Sequence, residues 1–133
     1  MKYNTIDYQV EGLILTLSLN RPEQMNSFTV EMANELVHAF SRASEDDAVS
    51  AIVVTGKGRA FCAGMDLSRE GNVFGLDEKQ SPTLEDMQNT KLIPGVSDTG
   101  GVVTLSIYDC KKPVIGAING AAVGIGATML AAM

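Results

Sequence analysis

Near the N-terminus of the chain, hydrophobic and polar residues alternate, as in a strand with one buried face. Residues 6–10 read Ile-Asp-Tyr-Gln-Val, and leucine stands at every second position from Leu13 to Leu19. The Glu11-Gly12 pair separates the two runs and is typical of a tight turn. Asn20-Arg21-Pro22 ends the second run, because proline has no N–H to donate to a sheet. The pattern therefore predicts a β-hairpin.

After the hairpin, the hydrophobic period becomes helical. Thr29 suits the N-cap position, and apolar residues then recur three or four positions apart. These residues are Met32, Leu36, Phe40 and Ala43. Glu35 and the lone histidine, His38, fall outside the apolar stripe, and a solvated histidine is predicted. The spacing indicates a helix of about four turns that ends at Glu45-Asp46-Asp47.

The run from Val49 to Thr55 is nearly continuous in apolar residues, which is typical of a strand buried on both faces. Hairpin, helix and strand together predict a ββα unit that leads into a parallel sheet. Residues 69–100 are loop-like, with a short helix expected near residues 84–92, and a loop of this length is often a lid or a binding loop. Val102 to Asp109 are predicted to be helical, and Lys111-Lys112-Pro113 ends that segment.

A second buried strand is predicted from Val114 to Ile118, followed by a glycine-rich turn and a helix. Residues 127–133 have the composition of a helix start without a C-cap, so this helix is expected to continue beyond Met133. We therefore expect residues 1–133 to be the N-terminal part of a single larger domain.

Two glycine-punctuated turns carry the candidate chemistry. Residues 60–67 read Ala-Phe-Cys-Ala-Gly-Met-Asp-Leu directly after a predicted strand, and Gly124-Ile-Gly126 follows the second one. A strand that runs through such a turn into a helix leaves backbone N–H groups unpaired and aimed at one point. That arrangement can hold an oxygen atom that gains negative charge during a reaction. Two such turns at the ends of parallel strands are expected to face one another across a pocket.

Composition limits the classes of partner. The chain has 133 residues with 45% hydrophobic and 20% charged residues, which is typical of one globular domain. The net charge of −6 argues against a general nucleic-acid surface. Cys62 and Cys110 lack the spacing of a zinc site or a disulfide framework, so we expect two small buried hydrophobic residues and no metal. The N-terminus lacks the character of a signal or transit peptide, which favours a cytoplasmic protein.

Three sequence blocks, in this order, resemble the crotonase family, which includes enoyl-CoA hydratases and isomerases. They are Leu19-Asn-Arg-Pro with Met25-Asn-Ser27, Gly58 to Leu67, and Lys112 to Gly120 with the Gly124/Gly126 turn. The resemblance implies an α/β crotonase-like fold of repeated ββα units, present here in part. It also implies an acyl-CoA substrate of fatty acid metabolism, no separate cofactor, and a homo-oligomer, either a trimer or a hexamer, with no nucleic-acid or membrane partner.

Matched to the family position by position, the resemblance implies that the backbone N–H groups of Met65 and Ile125 form an oxyanion hole for the thioester. Asp66 is expected to cap a helix that opens at Leu67. The residues implied in substrate binding are Asn26, Ser27, Phe28, Ala63, Gly64, Asp66, Leu67, Gly124 and Gly126. Lys57, Arg59 and Lys91 are candidates for phosphate contacts, and solvated surface charge is an equal interpretation for each.

Thr128 stands where two-glutamate hydratases of the family carry their first glutamate, and a threonine cannot act as a carboxylate base. This substitution favours double-bond isomerisation over hydration. Hydration stays open if another carboxylate enters from residues 69–100. A non-catalytic acyl-CoA-binding or protein-interaction scaffold of the same fold is the second hypothesis.

Two other interpretations fit single segments. The uncharged run of residues 114–133, with its small residues, has the length of a membrane helix, although its asparagine and its strand-like opening argue against one. Gly124-Ile-Gly126 resembles the opening of a dinucleotide-binding turn, but Met129 stands at the position of the third glycine.

Overall fold

A computed structural model describes residues 2–68 and 98–133 of the chain. In chain order its elements are β1 Ile6–Glu11, β2 Ile14–Leu19, a 3₁₀ turn at Pro22–Gln24, α1 Val30–Glu45, β3 Ala51–Gly56, β4 Ala60–Cys62, α2 Thr99–Tyr108, β5 Val114–Gly116, β6 Ala121–Ala122 and α3 Ile125–Leu130. The predicted loop over residues 69–100, apart from its last three residues, and the short helix expected near residues 84–92 lie outside the described residues.

The described strands form two sheets. The larger one has the order β1-β2-β3-β5, in which β1 and β2 are antiparallel and β2, β3 and β5 run parallel. The smaller sheet pairs β4 with β6 in parallel. The predicted hairpin, and the predicted passage from a ββα unit into a parallel sheet, are therefore confirmed.

Helix α1 covers one face of the larger sheet. Its N-cap is Thr29, whose hydroxyl oxygen accepts a hydrogen bond from the N–H of Met32 at 3.1 Å, as predicted. The buried side chains that meet between helix and sheet are Leu15, Leu17, Leu19, Ile52 and Val54 from the strands and Met32, Leu36, Phe40 and Ala43 from the helix. Every second residue of the strands is buried, and it packs against residues spaced three or four positions apart on the helix, as the sequence pattern predicted.

Two strands are less buried than predicted. Along β3, buried and half-buried residues alternate, so one face packs against α1 and the other is only partly covered. Strand β5 contains three residues instead of five, and it lies at the edge of the described sheet. Ile115 and Ile118 consequently expose more than half of their surface, at 53% and 57%. Leu13 is 57% exposed and precedes β2 instead of belonging to it.

The sequence pattern also missed two short strands, β4 and β6, because both lie within the stretches predicted to be glycine turns. After β3 the chain turns and enters β4 in the second sheet, and after β5 it enters β6 in the same way. Gly56 makes the first turn possible, because a Cβ atom there would lie 2.6 Å from the carbonyl oxygen of Ala60. Each predicted glycine turn therefore follows a short strand of the second sheet, not a strand of the main sheet.

Residues 114–133 form two short strands and a six-residue helix, so the membrane-helix interpretation is wrong. Among the helices of the described ranges, none has the length and the apolar character needed to cross a bilayer.

The polar face of α1 is less solvated than expected. Glu35 is only 5% exposed, and its carboxylate accepts hydrogen bonds from the N–H groups of Asn4 and Thr5, at 2.7 and 2.8 Å, and from the hydroxyl of Thr5 at 2.5 Å. His38 is half-buried, with its Nδ1 atom 2.8 Å from the hydroxyl of Tyr3. The prediction of a solvated histidine is therefore wrong, because the N-terminal segment packs across this part of the helix.

We expect Glu35→Ala to lower the free energy of unfolding by about 2–3 kcal/mol, because two backbone N–H groups at the start of β1 lose a charged acceptor. Glu31→Ala is the matched control, since Glu31 lies one turn earlier on α1 and is exposed, where it accepts one bond from the side chain of Asn4 at 3.0 Å. We expect its effect to stay within about 0.5 kcal/mol. Urea unfolding of both variants, monitored by circular dichroism, measures the difference, and equal losses would contradict the assignment.

Candidate functional site

The first glycine turn, residues 63–68, follows β4 and hydrogen-bonds to the segment Met25–Phe28 on one side. The N–H of Phe28 donates to the carbonyl oxygen of Gly64 at 2.7 Å, and the N–H of Asp66 donates to the carbonyl oxygen of Phe28 at 2.8 Å. In a planar trans peptide, C=O and N–H point in opposite directions. Because the Gly64 carbonyl faces Phe28, the N–H of Met65 in the same peptide points away from Phe28.

The opposite side of this turn is the side of β6 and Gly124. There the N–H of Val123 donates to the carbonyl oxygen of Cys62 at 2.9 Å, while the N–H of Ala63 donates to Met25 at 3.0 Å. The peptide of Cys62 and Ala63 therefore points its C=O towards Val123. In a regular strand every second peptide faces the same way, so the peptide of Gly64 and Met65 would also point its C=O to that side. The peptide of Gly64 and Met65 instead presents its N–H. Gly64, with a φ of +98°, lies between the two peptides and accounts for this reversal.

The second glycine turn leads into α3. The carbonyl oxygen of Gly124 accepts hydrogen bonds from the N–H groups of Ala127 and Thr128, both at 3.0 Å, so it points along α3. The N–H of Ile125, in the same peptide, therefore points out of the helix. Within residues 2–68 and 98–133, the N–H groups of Met65 and Ile125 donate no hydrogen bond. Gly124 has φ 55° and ψ −122°, the values of a type II′ turn, which favours glycine.

Glycine allows the two turns to touch. A Cβ atom on Gly64 would lie 3.1 Å from the carbonyl oxygen of Val123, and one on Gly126 would lie 2.5 Å from that of Cys62. The first turn of α3 therefore packs directly against β4. The two glycine turns therefore lie next to each other at the ends of the parallel strands β4 and β6. The expected pocket between them stays a prediction.

Two asparagine side chains hold the turn between β3 and β4. Asn26 is fully buried, and its amide nitrogen donates to the carbonyl oxygens of Lys57 and Ala60 at 2.8 and 2.9 Å. Its amide oxygen accepts the N–H of Arg21 at 2.8 Å. On the other side, Asn119 accepts the N–H of Gly56 at 3.0 Å and donates to Ala60 at 3.2 Å. These bonds fix where β4, and hence the first glycine turn, begins.

An ion pair joins the same turn to the segment that precedes α1. Arg21 donates to a carboxylate oxygen of Asp66 at 3.0 Å and to the carbonyl oxygen of Ser27 at 2.5 Å. The N–H and the hydroxyl of Ser68 also donate to Asp66, at 3.1 and 2.5 Å. The pair is nearly buried, with 15% and 8% of the two side chains exposed. Hydrogen bonds from Ser68 and Arg21 lower the pKa of Asp66 from 3.8 to about 2.

Asp66 accepts the N–H of Ser68, a bond that a helix cap at Asp66 would also make. The continuation of the predicted helix lies outside the described residues, so the cap stays a prediction. Phe28 is fully buried in the core, and Leu67 is 72% exposed at the surface. Ser27 and Ala63 are half-buried beside the turn. Thr128 is exposed, and its hydroxyl donates to the carbonyl oxygen of Gly124 at 3.1 Å.

Two of the three candidates for phosphate contacts have other partners among the described residues. Lys57 pairs with Asp7, and Arg59 lies 3.7 Å from the sulfur of Met25, while Lys91 is outside the described residues. Cys62 is buried as predicted, and burial raises the pKa of its thiol. Cys110 is only half-buried, against the hydroxyl of Ser44. The described part of the chain holds no cluster of metal-ligating side chains.

Sequence reasoning missed the supporting role of Arg21 and Asn119. Both stand in motifs that were noticed, but the partner of Arg21 lies 45 positions away in the chain and the partners of Asn119 lie 59–63 positions away. The separate cavity of about 260 Å³ between α1 and α2 was also unpredicted. It is lined by Val37, Phe40, Ser44 and Lys111, among others, and shares no residue with the glycine turns.

The lowered pKa of Asp66 predicts a pH-dependent stability. A carboxylate whose pKa is depressed in the folded state contributes stability above its unfolded value, here 3.8, and loses it as the pH falls towards 2. Near neutral pH, we expect the free energy of unfolding of wild type to exceed that of Asp66→Asn by about 1–2 kcal/mol, a value discounted for solvent screening. This difference should shrink below about pH 4. Urea unfolding at several pH values tests this, with Asp47→Asn, at an exposed carboxylate, as the control. An unchanged difference at about pH 3 would refute it.

A family described as "Enoyl-CoA hydratase/isomerase" matches residues 9–133. A probable enoyl-CoA hydratase of Rhodobacter capsulatus is 38% identical over 129 residues, which cover 97% of this chain and 44% of that protein. A 1,2-epoxyphenylacetyl-CoA isomerase of Escherichia coli is 36% identical over 121 residues, covering 90% and 42%.

Among solved structures, an enoyl-CoA hydratase of Mycobacterium marinum superposes with a TM-score of 0.71 at 30% identity, covering 97% of this chain and 55% of that one. The chain thus spans less than half the length of the curated relatives named above. The predicted α/β crotonase fold is confirmed by this likeness. From the family match over nearly all of its length, the chain belongs to the enoyl-CoA hydratase/isomerase family.

Proposed function

We propose that this chain supplies the acyl-CoA-binding part of an enzyme in which the N–H groups of Met65 and Ile125 hold the thioester oxygen. The observation that carries the proposal is the direction of these two donors. Each belongs to a peptide whose carbonyl is held on the opposite side, by Phe28 in one case and by the first turn of α3 in the other. Donors held in this way need no reorganisation when charge develops on the oxygen.

The chemistry follows from the electronic demand of the thioester. Removal of a proton next to the carbonyl carbon moves negative charge onto the carbonyl oxygen, and two hydrogen bonds stabilise that enolate more than the neutral thioester. The names of the Rhodobacter and Escherichia relatives, a hydratase and an isomerase of CoA thioesters, support this substrate class. Coenzyme A enters as part of the substrate, so the proposal requires no separate cofactor.

Double-bond isomerisation is the reaction favoured by the residues near the donors. The hydroxyl of Thr128 is engaged with Gly124, and a carboxylate at Asp66 with a pKa of about 2 is a weak base near neutral pH. One carboxylate from elsewhere in the protein would then move the proton between two carbons. Hydration requires acid–base help to a water molecule as well, so it needs a further group. Assembly as a trimer or hexamer, and a cytoplasmic location, stay predictions.

The same two observations support the second hypothesis, a scaffold that binds acyl-CoA without turnover. Neither Thr128 nor Asp66 offers the base that the reaction needs. The two hypotheses differ in turnover but share acyl-CoA binding at the glycine turns.

Replacement of the Met65 amide by an ester, through incorporation of the α-hydroxy analogue of methionine, removes the N–H and leaves the side chain in place. We expect kcat/KM of the protein that carries this chain to fall by about 100- to 1,000-fold, the usual cost of one oxyanion donor. Enoyl-CoA turnover measures the effect. Met65→Leu keeps the N–H and should stay within about threefold of wild type.

The structural control is the same ester at Ser50, whose N–H donates to Leu13 at 2.7 Å at the start of β3, the end away from the turn into β4. It should reduce stability and leave kcat/KM within about threefold of wild type. Full activity of the Met65 ester, with correct folding shown by circular dichroism, would eliminate the proposed donor.

The reaction type is tested by comparing a 3-enoyl-CoA with a 2-enoyl-CoA. We expect isomerisation of the first to exceed hydration of the second by more than about tenfold in kcat/KM, since a missing acid–base group costs about 10²–10⁴-fold. Hydration at an equal rate would reject the preference for isomerisation. Binding of both substrates in isothermal titration calorimetry, without turnover of either, would favour the scaffold.

A further inference from the structure

The ion pair between Arg21 and Asp66 is more elaborate than the stability of a surface turn requires. Asp66 directly follows Met65, and its two carboxylate oxygens receive three hydrogen bonds, one from Arg21 and two from Ser68. The guanidinium of Arg21 also donates to the carbonyl oxygen and the hydroxyl of Ser27, at 2.5 and 3.1 Å. The planar fork of an arginine holds two such partners in a fixed relative geometry, which the compact, freely rotating ammonium of a lysine does not impose.

These and further contacts lie on both sides of Met65 in the chain and so restrain the orientation of its amide. On the N-terminal side of Met65, the carbonyl of Gly64 is bound by Phe28, and on its C-terminal side the N–H of Asp66 is bound by the same residue. The Asp66 side chain adds a third attachment, to Arg21. Arg21 also binds Ser27, which directly precedes Phe28. The guanidinium therefore connects Asp66 to the same segment that hydrogen-bonds to the backbone on both sides of Met65.

We propose that the Arg21–Asp66 ion pair is a positioning device that fixes the direction of the Met65 N–H towards the substrate thioester. The inference rests on the proposed function, because it presumes that this N–H binds the thioester oxygen. Neither side chain touches the reacting atoms in this scheme. Loss of either charge allows the peptide of Gly64 and Met65 to rotate, so the hydrogen bond to the substrate lengthens although the rest of the CoA thioester still binds.

The carbonyl stretching frequency of a bound thioester reports this hydrogen bond directly. The probe is butyryl-CoA labelled with ¹³C at the carbonyl, measured by infrared difference spectroscopy on wild type, Arg21→Gln, Asp66→Asn and the double variant. We expect binding to wild type to lower the frequency, and each single variant to lose about half or more of that lowering with Kd changed less than about threefold. The double variant should lose no more than either single one, because both act through one contact.

Arg21→Lys keeps the charge and should restore part of the frequency shift, which a purely structural role would not predict. Glu45→Gln is the matched control: it breaks an exposed ion pair, with Lys111, away from both glycine turns, and should leave the shift unchanged. Should Asp66→Asn or Arg21→Gln fail to fold, Ser68→Ala decides the matter. Ser68→Ala removes one donor to Asp66 at an exposed position and should give a smaller loss in the same direction.

The outcomes separate the two proposals. A full frequency shift in folded Arg21→Gln and Asp66→Asn, or losses that add in the double variant, would overturn the positioning role and leave the proposed function standing. Absence of any shift in wild type, with butyryl-CoA bound, would overturn the proposed function itself.

Discussion

The backbone of residues 60–66 hydrogen-bonds to a neighbouring segment on each side. The rest of the candidate site depends on which of the two segments each C=O and each N–H of this backbone faces. Strand β4 pairs with β6, and the following turn pairs with residues 25–28. Buried peptide groups must find partners, so each bond on one side determines what the opposite end of that peptide presents on the other. The peptide of Gly64 and Met65 is reversed relative to a regular strand, so the side that faces Gly124 carries an N–H where a strand would carry a carbonyl. The backbone conformation around Gly64 thus changes this side of the turn from an acceptor into a donor.

The segment facing this turn is itself strained and is held by polar side chains. Met25 and Asn26 both have positive φ values, 53° and 55°. This conformation costs a residue such as methionine about 1–2 kcal/mol and asparagine less. The three bonds of the buried Asn26 side chain, and the guanidinium of Arg21, offset this cost because they satisfy backbone groups that would otherwise be buried without partners. The glycine turn is therefore placed by side chains that begin well before it in the chain.

The elements that could be predicted from the sequence are those with a regular recurrence of hydrophobic residues over a short stretch of chain. The hairpin and helix α1 with its Thr29 cap follow from spacing over one or two turns, and the structure agrees within one residue at their ends. Helix α2, predicted for residues 102–109 without such a period, begins three residues earlier. The separation of β4 from β3 and of β6 from β5 was missed, since strands of two or three residues carry no readable alternation. Glu35 was missed for another reason: its partners are backbone N–H groups, and a backbone donor leaves no trace in residue type. The glycine turns were noticed, yet the direction of the Met65 amide depends on Phe28, far away in sequence.

A site built from backbone donors places its sequence requirements on other residues. The side chains of Met65 and Ile125 contribute nothing to an N–H group, so their identity is free to follow packing and substrate shape. The requirement falls instead on Gly64 and Gly126, where a Cβ atom would press against a carbonyl oxygen of the facing segment, and on Gly124 for its backbone angles. It falls further on the polar residues that hold the facing segments. For this reason the residues that decide whether such a site works are its supports, and substitution at Arg21 or Asn119 should disturb the proposed chemistry more than a conservative change at Met65.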